Sequence, residues 1–326
     1  MHTALVTGGS GCLGSALAIR LHERGIRVRT LIRTGSDARV LEGISAEVHR
    51  GDICEAHVLR SAMEGCDAVF HTAAFVTFAR KAGEEQHRVN VLGTRAVVKA
   101  CIDSGVPSLV HTSSVTTIGT PPPRSPADET LTADRSQARG YKLSKILAED
   151  EVLRGAGMGL HAVIVNPSVI MGERDTRFHA GQLIRDIKKG RVPFYVDGGM
   201  NIVYAGDVAE GMIAAALKGR TGERYILAGE NLTHREIFRR TAALIGGRPP
   251  LARFPLPLLL RVGGLVESVS EFFGAEPPLT RDLAAIAGNY HWFTAAKAER
   301  ELGFRAMPFD TTILAAYQWY RDNGYL

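Results

Sequence analysis

The feature that most constrains the fold is an alternation of short apolar runs with helical stretches through the first half of the chain. The apolar runs typical of strands lie at residues 2–7, 27–32, 46–50, 67–71, 108–112 and 161–166. Helical patterns lie between them, notably at 84–104 and 139–154. Strands that alternate with helices build a parallel sheet covered on both faces. The sequence therefore predicts an α/β fold with a doubly wound parallel sheet.

The pattern changes after residue 166. Loops rich in Gly, Arg and Asp follow, and a short strand pattern at 224–228 stands among helical ones. We expect a first domain over residues 1–166 that holds the sheet. We expect a smaller, partly interleaved substrate-binding domain over residues 167–326, some of whose strands and helices return to the first domain. Doubly wound folds bind ligands at the carboxyl edge of the sheet, where the second domain would pack.

Charge and composition narrow the function classes. The chain has 39 Lys and Arg against 34 Asp and Glu, a net charge of +5, with no block of like charges. Nucleic-acid binding is therefore not indicated, whereas an anionic ligand suits the sign. The sequence contains no run of ~20 uncharged apolar residues, so it predicts no membrane span. The 4 cysteines lack metal-ligand spacing, which predicts no metal site and a reduced, cytoplasmic compartment.

A glycine loop follows the first strand, in "ALVTGGSGCLGSALA". Gly8, Gly11 and Gly14 fall three residues apart between a strand and a helix, which is typical of a dinucleotide site. Small residues let backbone N–H groups approach a pyrophosphate, and the helix N-terminus adds partial positive charge. Cys12 and Leu13 complete the cofactor-binding loop and are expected to pack beneath it. We interpret Cys12 as a small buried hydrophobe rather than a reactive thiol.

The end of the second strand selects between the two dinucleotides. An acidic residue there would hold the ribose 2′-OH of NAD, whereas an arginine suits the 2′-phosphate of NADP. Arg33 stands at this position, and Asp37 comes four residues later, in the expected loop. The alternative is that Arg33 is only a solvated strand end. The sequence favours NADP(H), with NAD(H) as the second choice.

Further strand ends are expected along the same edge. Asp52 could accept a hydrogen bond from the adenine amino group, and Ile53 could cover the ring. Small Ala73 and Ala74 allow the backbone to approach the cofactor. The expected cofactor positions on the neighbouring strand ends also include Thr72 and Thr112.

The residues that suggest chemistry follow the fifth strand and open the next helix. Two serines occur in "HTSSV", while Tyr141 and Lys145 lie four residues apart and so share one helix face. We expect the ammonium to lower the pKa of Tyr141 from its usual ~10, so that the phenol exchanges a proton with a substrate oxygen. A serine hydroxyl could hold that oxygen while a hydride passes to or from nicotinamide.

The combination of "TGGSGCLG", "HTAA", "NVLGT", "HTSSV" and "YKLSK" resembles the extended short-chain dehydrogenase/reductases, an NAD-dependent epimerase/dehydratase superfamily with a Rossmann domain. The similarity points to the dihydroflavonol-reductase-like and 3β-hydroxysteroid-dehydrogenase-like branches. "VNPSVIMGERD", "GERYILAGENLT" and "AKAERELGF" also resemble hopanoid-associated sugar epimerases.

The resemblance implies roles for individual residues. Tyr141 would be the acid/base, Lys145 would bind the nicotinamide ribose and tune Tyr141, and Ser114 would be the catalytic serine, with Ser113 as the adjacent alternative. Asn90 would steady the active-site helix or its water. The remaining implied positions are Pro167 and Ser168 against the nicotinamide, and Arg33 against the 2′-phosphate. The family often forms homodimers through two helices, which correspond here to 84–104 and 139–154.

The sequence constrains the identity of the substrate less than that of the cofactor. The candidate substrate contacts are Phe75, Thr77, Phe78, Ser114 and Val169. A later apolar stripe consists of Leu258, Val262, Leu265, Val269 and Phe272. Such a stripe is typical of a helix packed in the core of the second domain. The alternatives are a lid over an apolar substrate, or a membrane-surface patch over 256–273.

Two enzyme functions fit the sequence. The first is an NADP(H)-dependent oxidoreductase that interconverts a secondary alcohol and a ketone on a largely apolar molecule such as a steroid or terpenoid, a 3-oxo acyl compound or a flavonoid-like compound. The second is a nucleotide-sugar epimerase or dehydratase, hopanoid-associated, with tightly bound NAD. Its pyrophosphate could be bound by Arg174, Arg177, Arg185 and Lys188. The intact Ser–Tyr–Lys set disfavours a third possibility, a non-catalytic dinucleotide sensor.

Overall fold

The computed structural model describes residues 1–77, 82–178, 180–273, 277 and 279–326. The strands are β1 (Thr3–Thr7), β2 (Arg27–Ile32), β3 (Ala46–Arg50), β4 (Ala68–His71), β5 (Ser108–Thr112), β6 (His161–Pro167), β7 (Val169–Met171), β8 (Phe194–Tyr195), β9 (Gly199–Tyr204), β10 (Arg224–Leu227), β11 (Glu230–Thr233), β12 (Ala252–Arg253) and β13 (Tyr290–His291).

The helices are α1 (Cys12–Glu23), α2 (Ala56–Met63), α3 (Gly83–Gln86), α4 (Gly93–Asp103), α5 (Gly140–Gly157), α6 (Gln182–Lys188), α7 (Ala205–Lys218), α8 (His234–Ile245), α9 (Leu256–Phe272), α10 (Arg281–Ala287), α11 (Ala296–Leu302) and α12 (Phe309–Asp322). A π-helical segment, His87–Leu92, joins α3 to α4, and short 3₁₀ turns lie at Arg39–Leu41 and Val115–Thr117.

A seven-stranded sheet in the order β10-β6-β5-β4-β1-β2-β3 forms the centre of the fold, and its neighbouring strands are parallel. The chain runs outward from β1 through β2 to β3, then returns to β4 and runs the other way. The direction of winding therefore reverses between β1 and β4, where such folds bind ligands at the carboxyl ends of the strands. The predicted α/β fold with a doubly wound parallel sheet is confirmed.

Neighbouring residues of each central strand face opposite layers. Leu5, Val69 and Leu109 belong to the core on one side of the sheet, whereas the next residue along each strand, Val6, Phe70 or Val110, belongs to the core on the other side. Successive strand side chains alternate in direction, so a sheet covered on both faces needs apolar residues at both. This explains why these strands appear in the sequence as continuous apolar runs.

The second half of the chain adds a strand and a helix to the seven-stranded sheet and its covering layers. It also forms a smaller sheet with a separate core. β10 pairs with β6 at one edge of the seven-stranded sheet, and α7 packs against α1. A smaller sheet contains β11, β9 and β13, with β7 also paired to β9. A third core, which includes Ile184, Ile237 and Ile313, joins α6, α8 and α12 beside that sheet.

Helix α9 departs from the prediction of a core-packed helix. Four members of its apolar stripe are exposed, at 44% for Leu258, 37% for Val262, 67% for Leu265 and 48% for Val269. The side chain of Phe272 lies outside the described residues. α9 packs mainly against the short helix α10. The core-packing interpretation is therefore wrong for these four residues. Among the described residues, the helices lack the combined length and apolar character that crossing a bilayer requires.

Candidate active site

The glycine loop between β1 and α1 has almost no room for side chains. Gly8 has a φ of 75°, and a Cβ there would lie 2.8 Å from the Ala73 Cα. A Cβ on Gly14 would overlap the Gly8 carbonyl oxygen. At Gly11 a Cβ would approach only that oxygen, at 3.4 Å. The backbone of the loop and of the N-terminus of α1 is therefore not covered by side chains. Such a backbone can approach a ligand closely, and it fits the pyrophosphate of a dinucleotide.

The surroundings of Cys12 and Leu13 fit packing rather than chemical reactivity. Leu13 is buried in the core beneath the loop. The Cys12 thiol donates a hydrogen bond to the Glu173 carbonyl at 3.2 Å. Burial, with smaller contributions from the nearby carboxylates of Asp175 and Glu173, raises the pKa of this thiol. The geometry fits the interpretation of Cys12 as a packing residue, and the thiol links the glycine loop to the loop after β7.

Two arginines lie at the strand ends where the adenine ribose would be recognised. Arg33 follows β2 and is exposed. Asp37, the nearest acidic residue, is turned onto Arg39, with Nη2 and Oδ2 2.7 Å apart. Arg50, which the sequence patterns did not single out, pairs with the end of β2 in the sheet register and donates to the Ser36 carbonyl at 3.1 Å. Its position at the end of β3 was the signal available in the sequence.

The residues after β3 have structural partners of their own. The Asp52 carboxylate accepts from the Cys54 backbone N–H at 2.8 Å and from Arg88 Nη1 at 2.9 Å. These hydrogen bonds and the Arg88 charge outweigh desolvation and hold the pKa of Asp52 below its usual range. Ile53 is buried and packs closely against Gly93 of α4.

The end of β4 approaches the glycine loop closely. Thr72 Oγ1 donates to the Thr7 carbonyl at 2.6 Å, which ties β4 to β1 beside the loop. Ala73 and Ala74 follow at partly exposed positions. His71, missed by the sequence analysis, is buried between Thr7 Oγ1 at 2.7 Å and Thr94 Oγ1 at 3.0 Å. Burial lowers the pKa of His71 to about 3.

Ser114 and Tyr141 are brought together from two different elements. The Tyr141 phenol is hydrogen-bonded to the Ser114 side chain. Ser113 is instead buried, with its hydroxyl donating to Glu149, so Ser114 is the serine that faces the tyrosine. Ser114 also caps the turn that follows β5, because its Oγ accepts from the Thr116 N–H at 3.2 Å.

Lys145 is buried one turn along α5 from Tyr141. Its Nζ donates to the Thr112 carbonyl at 2.7 Å. Burial lowers the pKa of Lys145 to about 8, against the opposing effect of the Glu149 charge. Burial raises the pKa of Tyr141 to about 12, and the Ser114 hydrogen bond only partly opposes it. The expected lowering of the tyrosine pKa by Lys145 is therefore wrong for this arrangement, in which Nζ is directed at Thr112.

Asn90 connects three elements near Tyr141. It lies in the π-helical segment and is buried. Its Oδ1 accepts from the Phe75 N–H at 2.7 Å, and its Nδ2 donates to the Phe75 carbonyl at 3.1 Å and to Ser144 Oγ at 2.9 Å. Asn90 thus holds the segment after β4 against α5. π-Helical segments of this kind occur frequently at functional sites.

The other candidate contacts occupy two strand ends. Pro167 is buried at the end of β6, and Ser168 Oγ donates to Asn201 Oδ1 at 2.6 Å. Val169 is exposed at the start of β7. Thr77 accepts from Gln86 Nε2 through its carbonyl at 2.6 Å. Phe78 lies outside the described residues.

Of the four basic residues considered for a second pyrophosphate, two have other partners. The Arg185 guanidinium lies over the Phe178 ring, 4.5 Å from its centroid. Lys188 Nζ donates to the Ile245 carbonyl at the end of α8, at 2.8 Å. Arg174 and Arg177 lie in the loop after β7, next to Glu173, whose carbonyl accepts the Cys12 hydrogen bond.

Residues 4–228 match the NAD dependent epimerase/dehydratase family. The chain belongs to this family and is an NAD(P)-dependent enzyme of the extended short-chain dehydrogenase/reductase type. The chain is 34% identical over 305 residues to the 4-hydroxy-2-methyl-3-oxo-4-farnesyl-3,4-dihydroquinoline-1-oxide ketoreductase of Stigmatella aurantiaca, covering 92% of this chain and 90% of the relative. It is 32% identical over 333 residues to the sterol demethylase protein B of Methylococcus capsulatus, covering 99% of both.

Solved structures match the whole chain as well. The crystal structure of gox2253 superposes with a TM-score of 0.90 at 38% identity, covering 100% of both chains. A nucleoside-diphosphate-sugar epimerase from Pseudomonas aeruginosa superposes with a TM-score of 0.83 at 26% identity, covering 100% of this chain and 99% of the other. The predicted membership of the extended short-chain dehydrogenase/reductases is confirmed.

Proposed function

We propose that this enzyme is an NADP(H)-dependent oxidoreductase that interconverts a secondary alcohol and a ketone on a largely apolar small molecule. The observation that carries the proposal is the hydrogen-bonded pair of Ser114 and Tyr141 at the carboxyl edge of the sheet. Steroids or terpenoids, 3-oxo acyl compounds and flavonoid-like compounds are the substrate classes we favour. The names of the two relatives support an apolar substrate, since one refers to a sterol and the other to a farnesyl-bearing ketone.

The chain's own residues supply the proton and the orientation. A bound nicotinamide cofactor would supply or accept the hydride. Ser114 Oγ would hold the substrate oxygen, and Tyr141 would give its proton to that oxygen during reduction and take it back during oxidation. Because burial raises the pKa of Tyr141 to about 12, the phenol is protonated at neutral pH, which suits the donor role in ketone reduction. Lys145 would contact the nicotinamide ribose.

The charge at the ends of β2 and β3 supports a preference for NADP(H). Arg33 is exposed, and Arg50 lies on the neighbouring strand end. The guanidinium is planar, permanently charged and suited to phosphate oxygens. The only acidic residue close in sequence, Asp37, is engaged by Arg39. We therefore assign Arg33 to the 2′-phosphate.

The region beside Tyr141 is assigned to the substrate. Phe75 packs partly into the core while its backbone is held by Asn90, and Val169 is exposed at the start of β7. We propose that Phe75, Thr77 and Val169 surround an apolar substrate whose oxygen is held by Ser114. An apolar lining with one polar anchor is typical of small-molecule sites.

A nucleotide-sugar epimerase or dehydratase with tightly bound NAD is the second candidate. It is favoured by Arg174 and Arg177, which lie in the loop after β7, adjoining the cofactor loop through the Cys12–Glu173 hydrogen bond. Two cations at this place could bind the pyrophosphate of a sugar nucleotide. The structural likeness to a sugar-nucleotide epimerase also supports this candidate.

One experiment separates the two functions. The purified enzyme would be denatured to release any retained dinucleotide, and native enzyme would be assayed for NADPH consumption against a panel of steroid, 3-oxo acyl and flavonoid-like ketones. We expect little retained NAD and NADPH consumption with at least one ketone. Retained NAD near one equivalent, with no net NADPH consumption, would reject the oxidoreductase proposal in favour of the epimerase.

We propose two interaction surfaces for this enzyme, one for a second copy of the chain and one for a lipid surface. We infer a homodimer through the helices of residues 84–104 and α5, which pack side by side and expose Leu92 and Leu153. Light scattering of the enzyme and of Leu92→Glu tests this inference. A dimeric mass that Leu92→Glu halves is the expected result, and a monomeric wild type rejects it.

The exposed face of α9 is proposed to rest on a lipid surface. Its stripe carries the exposed Arg261 among apolar side chains, and the chain has a net charge of +5, which suits anionic headgroups. Sedimentation with phosphatidylglycerol vesicles should pellet the wild type and Leu217→Glu, but not Leu265→Glu; Leu217 is 64% and Leu265 67% exposed. Wild type that stays in the supernatant rejects the proposal, as does a Leu265→Glu variant that still pellets.

A further inference from the structure

Glu149 is a fully buried carboxyl group on α5, one helical turn beyond Lys145. A buried carboxylate is costly unless it is paired and hydrogen-bonded. The groups that surround it therefore indicate what the residue holds in place.

Four side chains from three other parts of the fold converge on this carboxyl group. Its Oε1 accepts hydrogen bonds from Ser113 Oγ at 2.5 Å, Thr117 Oγ1 at 2.8 Å and Asn166 Nδ2 at 2.8 Å. Its Oε2 forms an ion pair with Arg224 Nη2 at 2.6 Å. Glu149 thus connects α5 to the turn after β5, to β6 and to the edge strand β10.

The same partners enclose the backbone of Ser114. Thr117 Oγ1 lies 2.9 Å from the Ser114 carbonyl, and Asn166 Nδ2 lies 3.2 Å from it. Ser113, the residue before, is held directly by Glu149. The groups that fix Ser114 on both sides are therefore themselves fixed by one carboxylate.

Glu149 also provides the negative charge that acts on Lys145. The ionisable groups facing Lys145 are His71 from β4, His111 from β5, and Glu149 on its own helix. The pKa values of both histidines lie below their usual range because of burial, so they are neutral at pH 7. The Glu149 charge favours the ammonium form of Lys145, whereas burial opposes it. Tyr141, the remaining ionisable side chain on this face, is also neutral because burial raises its pKa.

We propose that Glu149 is a positioning residue: it holds the turn after β5 so that Ser114 faces Tyr141, and its charge keeps Lys145 protonated inside the protein. This inference rests on the oxidoreductase function proposed above. Glu149 touches neither substrate nor cofactor in this role and acts through Ser114 and Lys145.

The proposal has an electrostatic half, the effect of the Glu149 charge on Lys145, and a geometric half, the placement of Ser114. A titration of Lys145 tests the electrostatic half without any substrate. The enzyme would be labelled with ¹³C-lysine, and the Lys145 resonance identified by its loss in Lys145→Met. Glu149→Gln keeps the shape and removes the charge, so we expect the midpoint to fall by about one pH unit. Glu151→Gln is the matched control, because Glu151 is nearly buried on the same helix and paired with Arg95 at 2.7 Å. Equal midpoints in wild type and Glu149→Gln would overturn this half.

Kinetics test the geometric half. In Glu149→Gln we expect kcat for a ketone to fall about 10- to 100-fold, with KM nearly unchanged, since misplacing one catalytic group by a fraction of an ångström has effects of this size. Glu149→Asp keeps the charge without the reach, so it should restore the Lys145 midpoint while kcat stays low. A kcat loss no greater than that of Glu151→Gln would overturn the geometric half.

Folding and the proposed function are controlled separately. Circular dichroism and thermal melting establish that each variant is folded. If Glu149→Gln does not fold, the double variant Glu149→Met with Arg224→Met removes both buried charges and is measured in its place. A wild type that reduces no ketone rejects the oxidoreductase function, while the lysine titration still decides the role of Glu149.

Discussion

The Ser114 hydroxyl and the Tyr141 phenol are hydrogen-bonded to each other, although one follows a strand and the other opens a helix. Two hydroxyls so close can contact one substrate oxygen together. Their contact depends on packing between the turn after β5 and α5, so both the fold and the chemistry are tested by changing either residue.

Replacing Tyr141 by Phe is expected to abolish proton transfer while leaving the shape of the site intact. We expect ketone reduction to fall about 10²- to 10⁴-fold, the range for loss of a general acid. NADPH affinity, measured by fluorescence titration, should change by less than about twofold. Tyr195→Phe, which removes a phenol from the short strand β8, is the control. Full turnover in Tyr141→Phe would show that another group supplies the proton.

Replacing Arg33 by Asp is expected to change cofactor preference rather than overall binding. Losing a charge-assisted contact to the 2′-phosphate, and adding a like charge, should weaken NADPH binding about 10- to 100-fold. NADH binding should stay within about threefold, as measured by calorimetry of both dinucleotides. Arg39→Asp, at an exposed arginine paired with Asp37, should leave both affinities unchanged. Equal weakening of NADPH and NADH by Arg33→Asp contradicts the assignment.

A methyl group at Gly14 is expected to disrupt the glycine loop. The added Cβ would meet the backbone carbonyl of Gly8, which cannot move aside as a side chain can. We expect a loss of roughly 1–3 kcal/mol in the free energy of unfolding, and loss of dinucleotide binding. Gly264→Ala on α9 is the control, since a Cβ there meets nothing within 4 Å and should stabilise by about 0.5–1 kcal/mol. Unaltered dinucleotide affinity in Gly14→Ala would argue against the loop as the binding site.

Lys145 is expected to cost stability at neutral pH. Burial lowers its pKa from 10.5 to about 8, so between these values the unfolded chain binds a proton that the folded chain has lost. Stability therefore rises with pH across that window, and below it the charged lysine costs about 3 kcal/mol.

Lys145→Met should remove that cost and also remove activity. We expect it to raise the free energy of unfolding at pH 7 by about 1–3 kcal/mol, less than the full amount because the Thr112 carbonyl loses its donor. The gain should shrink at pH 9.5, as measured by urea unfolding at both pH values. Lys142→Met, on the same helix, should show no such pH-dependent gain. A less stable Lys145→Met at pH 7 contradicts the prediction.

The sheet could be predicted from the sequence because its physics is local to each strand. A strand buried on both faces, such as β1 or β5, needs apolar residues in succession, and that requirement is visible without any knowledge of its neighbours. The glycine loop was equally visible, since its spacing reflects contacts within one turn. The cofactor and catalytic assignments at these positions stay predictions.

The errors concern partners that come from elsewhere in the chain. The stripe that includes Leu258 and Leu265 shows which side chains share a face of α9, but not that this face is left uncovered. Helical spacing brings Tyr141 and Lys145 to one face, but the direction of the Lys145 ammonium is set by the Thr112 carbonyl. Glu149 follows Lys145 by four residues, but its ion-pair partner Arg224 lies far along the chain. The role of Glu149 could therefore not be inferred from the local sequence pattern.

The late position of β10 in the chain has a consequence for biosynthesis. Chains leave the ribosome from the N-terminus, so β1 to β6 are complete before Arg224 exists. Until then β6 has an unpaired edge and Glu149 lacks its ion pair with Arg224. A nascent chain arrested before residue 224 would therefore present an open strand edge, a surface on which chains aggregate. The last segment of the sheet to be synthesised completes both its edge and the Glu149–Arg224 ion pair behind Ser114.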